Sequence, residues 1–467
     1  MKKQRQNNAL IKNALIISMG GLIVKILGAF YRIPLTNLLK TEGLGIYQTA
    51  FPTYLILMTF TGAAATTTMT GLISAGENGK NVFRKSLAFF LPLGIVGAAF
   101  MIFFSGVLSS MQGNPEAKGS YIALAPSLIF VAVISSVRGY FQGKNNMYPT
   151  AISQIIEQAV KIAVGLTLLN LFSYTPATGG LFACLAVSAG ELVAAIYLIA
   201  ALKKRSKIER YDGNFRFNRL IALLLPVAIT SSLLPLARVF DSFTIINTLK
   251  SYLDNSVDLY GIYTGSVETI IGVPVAVCYG IATATVPSVS AAFGKGDGCK
   301  AKKTAFRSLA ITLFASSLSF AFLGLFSKTV VNILYPKLSP ESKYVTIKLL
   351  AFSSINVVLI SLIQTETSIL VSLRKAYSPA LFLGLGLAVK FCVQIFLLKI
   401  PHINVFGALY SDILCYLVAV FGNLVYIIVI LKKFKMAEKD EYENNPCGDG
   451  RLPGRYIGKS VVGSEKR

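Results

Sequence analysis

The sequence contains no tryptophan and one histidine, His402, which stands beside an expected outer loop. A membrane-bound glycan polymerase or glycosyltransferase would bring large extracytoplasmic loops or an acid/His site, and a lone loop histidine does not supply one. The six cysteines (Cys184, Cys278, Cys299, Cys392, Cys415 and Cys447) are scattered without Cys-x-x-Cys spacing. That excludes a zinc site or a disulfide framework as an organising device. Charge is scarce too, at 14% Asp, Glu, Lys and Arg. The longest hydrophilic stretches are 203–218, 294–303 and the tail after Lys432, too short to hold a soluble catalytic domain.

What is present is apolar length. Of 467 residues, 54% are hydrophobic, and the mean hydropathy is +0.63. Runs of about 20 apolar residues, enough to cross a bilayer as helix, recur at about 12–36, 45–73, 85–110, 119–140, 149–173, 178–202, 219–247, 260–290, 304–329, 344–372, 377–399 and 403–431. These are spans 1 to 12 below. The ten-residue alternation of an outer-membrane barrel is missing. The expected fold class is therefore an all-α polytopic protein of the cell (cytoplasmic) membrane, with about twelve transmembrane helices. Span 1 is too long for a signal h-region and holds Lys25 and Arg32, so it reads as a retained helix.

A formal charge of +24 raises the question of nucleic acid. Its distribution answers no. With "MKKQRQNN" cytoplasmic, that side collects 26 Lys and Arg up to Lys435, against seven on the other. This is the positive-inside asymmetry, and it places both termini in the cytoplasm. The expected organisation is a first lobe over 1–202, a basic cytoplasmic linker over 203–218, a second lobe over 219–432, and a disordered polar tail over 433–467.

The two lobes repeat. "GIYQTAFPTY" from Gly45 is answered by "GIYTGSVETI" from Gly261, and Ser74-Ala75 by Ser290-Ala291 at the same offset. "YPTAISQIIEQAVKIAVGLTLL" from Tyr148 aligns with "YSPALFLGLGLAVKFCVQIFLL" from Tyr377, which sets Lys161 against Lys390. The "ALKK" ending span 6 meets the "ILKK" ending span 12 in that second register. Six spans per copy make the repeats parallel, an arrangement that in transporters encloses a midplane site.

Eleven ionisable residues are assigned to the membrane interior: Lys25, Arg32, Lys161, Arg238 and Lys390, with Glu157, Glu191, Asp241, Glu268, Glu366 and Asp412. Each costs about 2.5–3.5 kcal/mol at the bilayer centre on insertion scales and so faces a bundle interior or a wet cavity. Mutual pairing is one reading, since Glu157 and Lys161 stand at i,i+4 and Arg238 and Asp241 at i,i+3. A cationic cavity for phosphate or pyrophosphate is the other. It is stronger for span 1, where Lys25 and Arg32 have no acid on their helix, although Arg32 lies near enough to the outer end to snorkel. The acids have their own alternatives, pairing across helices or carrying coupling protons or cations. Pro34, Pro52, Pro226, Pro235, Pro274 and Pro287 mark points where spans can bend.

Several stretches resemble a known family. "LIVKILGAFYRIPLTNLLKTEGLGIYQTAFPTYLILM", "RGYFQGKNNMYPTAISQIIEQAVK", "PVAITSSLLPLARVFDSF" and "YGIYTGSVETIIGVPVAVCYGIATATVPSVSAAFGKGD" are similar to the stage V sporulation protein B group. That group sits in the polysaccharide branch of the multidrug/oligosaccharidyl-lipid/polysaccharide (MOP) flippase superfamily, beside MurJ-type lipid II flippases. The resemblance covers roughly residues 10–430. It implies two six-helix lobes around a central cavity that opens alternately to either side. It further implies an undecaprenyl-pyrophosphate-linked saccharide as substrate, with Lys25 and Arg32 contacting the pyrophosphate. From the residues themselves, Glu157 and Lys161 are expected to line or brace the interlobe cavity, with Lys390 mirroring Lys161 in the second lobe and Arg238 as a further cavity cation. The chain differs from the lipid II flippases in ending after about twelve spans rather than fourteen, and in reading "VETIIGVP" where their eighth span carries an Arg. A cation-coupled drug exporter of the multidrug and toxin extrusion (MATE) type is the alternative, and it calls for an acid-dominated cavity. The expected partners are the lipid-linked saccharide, membrane lipids and a coupling proton or sodium ion, with no cofactor and no metal.

Overall fold

The computed structural model describes the backbone over residues 2–205, 217–294 and 297–444. The side chains of residues up to 20 and of 22, 25, 205 and 433–444 lie outside the described set. That leaves the Lys25 side chain, most of the 203–218 linker and the end of the tail outside the description. Eleven helical stretches are long and apolar enough to cross a membrane. The first, Ile26–Ser74, covers 49 residues. At 1.5 Å per residue it is about twice the 30 Å hydrocarbon thickness. Its backbone breaks at Lys40, with φ 55° and ψ −161°, so it divides into spans 1 and 2 and the crossings number twelve.

Each span starts and stops for local reasons. Asn78 accepts hydrogen bonds from the amides of Lys80 and Asn81 ahead of Gly79–Phe103, and Asp297 accepts from Lys300 N at 2.8 Å ahead of Gly298–Leu325. Such side chains satisfy the first orphan amides of a helix. Span 2 is interrupted at Gly62, which separates Lys2–Thr61 from Ala63–Ser74. Span 10 is interrupted at Ser354, between Pro340–Ser353 and Ile355–Ser372. All six prolines named above lie inside helices. The last helix, Phe406–Asn444, runs beyond the point where the sequence suggested a disordered tail. Its "MAEKDEYEN" end is rich in helix formers.

The repeat is visible in the backbone. The turns before spans 5 and 11 each place a residue at positive φ, Asn145 at 57° and Arg374 at 61°, in the same register as the sequence repeat. The first half holds two apolar cores, one around Tyr31, Tyr47, Tyr54 and Tyr121, the other around Met69, Phe90 and Phe141, which Leu220, Leu224 and Ala228 of span 7 join. The main core of the second half centres on Tyr260, Tyr263, Tyr335 and Leu409.

The halves meet where repeat mates face each other. A side chain added at Gly261 would strike the Thr41 carbonyl and the backbone of Gly45. One added at Gly45 would strike the Val257 carbonyl. Only glycine allows backbones this close. Gln48 Nε2 donates to the carbonyl of its own mate, Thr264, at 3.1 Å, and Tyr260 OH donates to Gln48 O at 3.2 Å. Residues near a pseudo-twofold axis must touch their own copies, and these do. A π-helical turn, Ile262–Val267, sits in span 8 at this contact. Such turns gather at functional sites. Asn37 donates to Leu334 O at 2.7 Å, Gln112 to Ser242 at 2.9 Å and Asn247 to Met111 O at 2.8 Å, all at this same end of the bundle. At the other end Arg219 of span 7 reaches Glu77.

If the glycine contact holds this end shut, Gly261→Val is expected to pry it open. A disulfide between cysteines at positions 41 and 258, whose native side chains hydrogen-bond, should form readily in the parent and several-fold less in Gly261→Val. An undiminished yield would show that the close approach is not what seals the end.

Candidate functional site

The pairing that helix spacing suggests does not form. Glu157 is taken by Arg138, with NH2 donating to its Oε2 at 3.0 Å and Nε donating to Ser153 at 2.9 Å. Asp241 is taken by Lys390 at 2.7 Å, and the same ammonium reaches Asp412 Oδ1 at 2.6 Å. Arg238 pairs with Glu268 of span 8. Residues close on one helix face thus turn to neighbouring helices. A pair on one helix must bend two flexible side chains together, whereas a facing helix presents the opposite charge directly along their natural direction.

Arg138 escaped the sequence reading because it was counted with the cytoplasmic turn. A signal was available: spans 4 and 5 form a hairpin about residues 145–146, so Arg138 stands at the depth of Ser153 and within reach of Glu157.

The repeated lysines have different surroundings. Lys390 is 3% exposed and locked between acids from spans 7 and 12, and the Tyr263 hydroxyl donates to the second oxygen of Asp412. It is enclosed rather than open to the cavity. Lys161 occupies the matching place in the first half. Span 1, the counterpart of span 7, has no acid, and the position matching Asp412 is Ala183. Lys161 makes no ion pair among the described residues. Its ammonium lies over the rings of Tyr31 at 5.3 Å and Phe51 at 5.9 Å, a placement that aromatic faces favour. Arg32, one residue beyond Tyr31, also has no acidic partner among the described residues; it lies near enough to repel Lys161, while Glu157 and Glu191 lie near enough to attract it.

Two cavities adjoin these groups. One of about 160 Å³ is lined by second-half residues, among them Arg238, Glu268, Tyr263, Asp412 and Asn356, with Arg32 of span 1 the first-half residue on its wall. The other, about 290 Å³, lies within the first half and is lined by Arg138, Gln154, Glu157, Glu191 and Thr67 among others. Glu191 accepts from the Tyr54 hydroxyl, and its second oxygen has no partner. Glu366 stands apart from both cavities, buried in span 10 with one carboxyl oxygen unpartnered. The structure therefore gathers Arg32, Arg238, Glu268 and Asp412 at the first of these cavities. Glu157 and Glu191 come together in the first half, and Glu366 joins neither group.

Residues 10–293 match the family model described as polysaccharide biosynthesis protein. Stage V sporulation protein B of Bacillus subtilis (strain 168) is 26% identical over 352 residues, which is 70% of this chain and 66% of that protein, just under two thirds of its length. The lipid II flippase MurJ of the same organism is 22% identical over 465 residues, covering 91% of this chain and 83% of that protein. The names are those of sporulation proteins and a flippase, not of enzymes. Among solved structures, an inward-facing MATE transporter of the MOP superfamily superposes with TM-score 0.68 at 16% identity, over 89% of this chain and 96% of that one. The outward-facing form of such a transporter gives 0.67 at 17% identity, over 91% and 96%. Similarity at that level speaks for the fold alone, and it confirms the two-lobed architecture. The chain belongs to the polysaccharide biosynthesis protein family, and it is a multi-pass membrane protein with the fold of the MATE transporters.

Proposed function

We propose that the protein flips a polyprenyl-pyrophosphate-linked saccharide from the inner to the outer leaflet by alternating access, with the pyrophosphate held by Arg32 and Lys161, together with Lys25 of span 1. The observation that carries this reading is that Arg32 and Lys161 are intramembrane cations without an acid partner among the described residues. A cation at membrane depth without an ion-pair partner is costly, and a phosphate-bearing substrate supplies an anion through charge-assisted hydrogen bonds. Arg238, at the cavity that Arg32 also lines, is a second contact, shared with Glu268. Lys390, neutralised by two aspartates, supports the second lobe instead.

The charge asymmetry of the loops puts the glycine-sealed end on the outer face. A MATE-type exporter of cationic drugs fits the fold equally well, but Arg32 and Lys161 would repel such cargo.

Native mass spectrometry of the protein in mild detergent tests the proposal. A co-purifying polyprenyl-pyrophosphate saccharide is expected, retained by the parent and lost from Arg32→Ala. Finding only bulk phospholipid, unchanged in that variant, would return the reading to drug export.

A further inference from the structure

The cavity within the first half has no role in holding the pyrophosphate, yet it is built for hydrogen bonding. Polar groups converge on it from four spans, among them Thr67 of span 2, Arg138 of span 4, Gln154 and Glu157 of span 5 and Glu191 of span 6. Several of these have unused capacity. Glu191 is 5% exposed, and its Oε2 meets no donor. Gln154 and Thr67 make no side-chain hydrogen bond among the described residues, although both lie within membrane-spanning helix. Glu191 is a buried group of the kind that native structures nearly always satisfy, while Gln154 is half-buried and Thr67 exposed, so both are open to a partner from outside the chain. Hydroxyl, carboxyl and carboxamide groups facing a cavity of about 290 Å³ are the chemistry that binds a hydroxyl-rich ligand.

Position says which ligand. Span 5 carries Lys161, Glu157 and Gln154 along its length, so Gln154 lies seven residues from the lysine, about 10 Å along the helix axis. A sugar joined to a pyrophosphate at Lys161 reaches that depth with its first ring. Charge narrows the class. Arg138, the one cation lining the cavity, is already paired with Glu157, and Glu191 adds a carboxyl. No unopposed positive charge is left for an acidic sugar.

We infer that this first-half cavity is a saccharide subsite, in which Gln154, Thr67 and Glu191 bind the pyrophosphate-proximal, uncharged sugar of the lipid-linked substrate. The inference rests on the pyrophosphate reading above, and the test separates the two.

Binding to the purified full-length protein in detergent would be measured for four probes: undecaprenol, undecaprenyl pyrophosphate, and the pyrophosphate bearing one N-acetylglucosamine or one glucuronate. The parent is expected to hold the N-acetylglucosamine probe about tenfold tighter than the bare pyrophosphate and to gain nothing from glucuronate. Gln154→Leu/Thr67→Val, which breaks no hydrogen bond within the described protein, is expected to lose about tenfold of that gain while binding the bare pyrophosphate as the parent does. If the parent does not distinguish the sugar-bearing probe from the bare one, or if the double variant keeps the full gain, the subsite is overturned and the pyrophosphate site stands. A gain from glucuronate equal to that from N-acetylglucosamine overturns the uncharged class. If undecaprenyl pyrophosphate binds no better than undecaprenol, the proposed function falls, and the subsite with it.

Discussion

Lys390→Met is expected to destabilise the protein by about 3–5 kcal/mol, the usual cost of removing one member of a buried ion pair. The lysine ammonium lies 2.7 Å from Asp241 and 2.6 Å from Asp412, and none of the three side chains is more than 7% exposed. Removing it leaves two carboxyls facing each other in the interior of the second half, with the Tyr263 hydroxyl as their one remaining donor of note. The variant Lys390→Met/Asp241→Asn/Asp412→Asn removes the stranded charges together with the lysine, and should recover at least half of the loss. Unfolding in mixed detergent micelles, followed by circular dichroism, gives both numbers. A loss under about 1 kcal/mol for the single variant would mean that the three groups behave as a solvated cluster rather than a buried lock.

Arg32 and Lys161 should show the opposite behaviour, with little effect on stability and a large one on binding. Neither is held in an ion pair among the described residues, so Lys161→Gln and Arg32→Gln break no direct charge pair there. Each is expected to weaken undecaprenyl pyrophosphate binding by about 10–150-fold, the equivalent of one hydrogen bond to a charged group at about 1.5–3 kcal/mol. Lys161→Arg keeps the charge and should retain most of the affinity, although the aromatic walls of Tyr31 and Phe51 constrain the longer side chain. The measurement is a titration with the lipid in detergent beside an unfolding curve for each variant. Unchanged affinity in both Gln variants, with intact folding, would rule out these cations as the anion site. A parallel loss of stability would place them with Lys390 as internal supports.

The sequence by itself determined the number of crossings, the two-copy organisation and, Arg138 apart, the charged residues that take part in the sites at membrane depth. Those properties are written along one dimension: a span needs a run of apolar residues, and a repeat needs two similar runs in order. Even the axis contact was legible in outline, because the Gly-Ile-Tyr repeat marks Gly45 and Gly261, the two positions where the halves close on each other.

Only the tertiary structure decided the partners. Helix spacing set Glu157 beside Lys161 and Arg238 beside Asp241, and each turned to a different helix instead. Lys161 and Lys390 hold one register of the repeat, and the second became an internal brace while the first was left free. That difference lies in spans 1, 6, 7 and 12, far away in the chain from either lysine. A buried charge is governed by what surrounds it in three dimensions within a few ångströms, and the chain brings those neighbours from distant positions that no local pattern records.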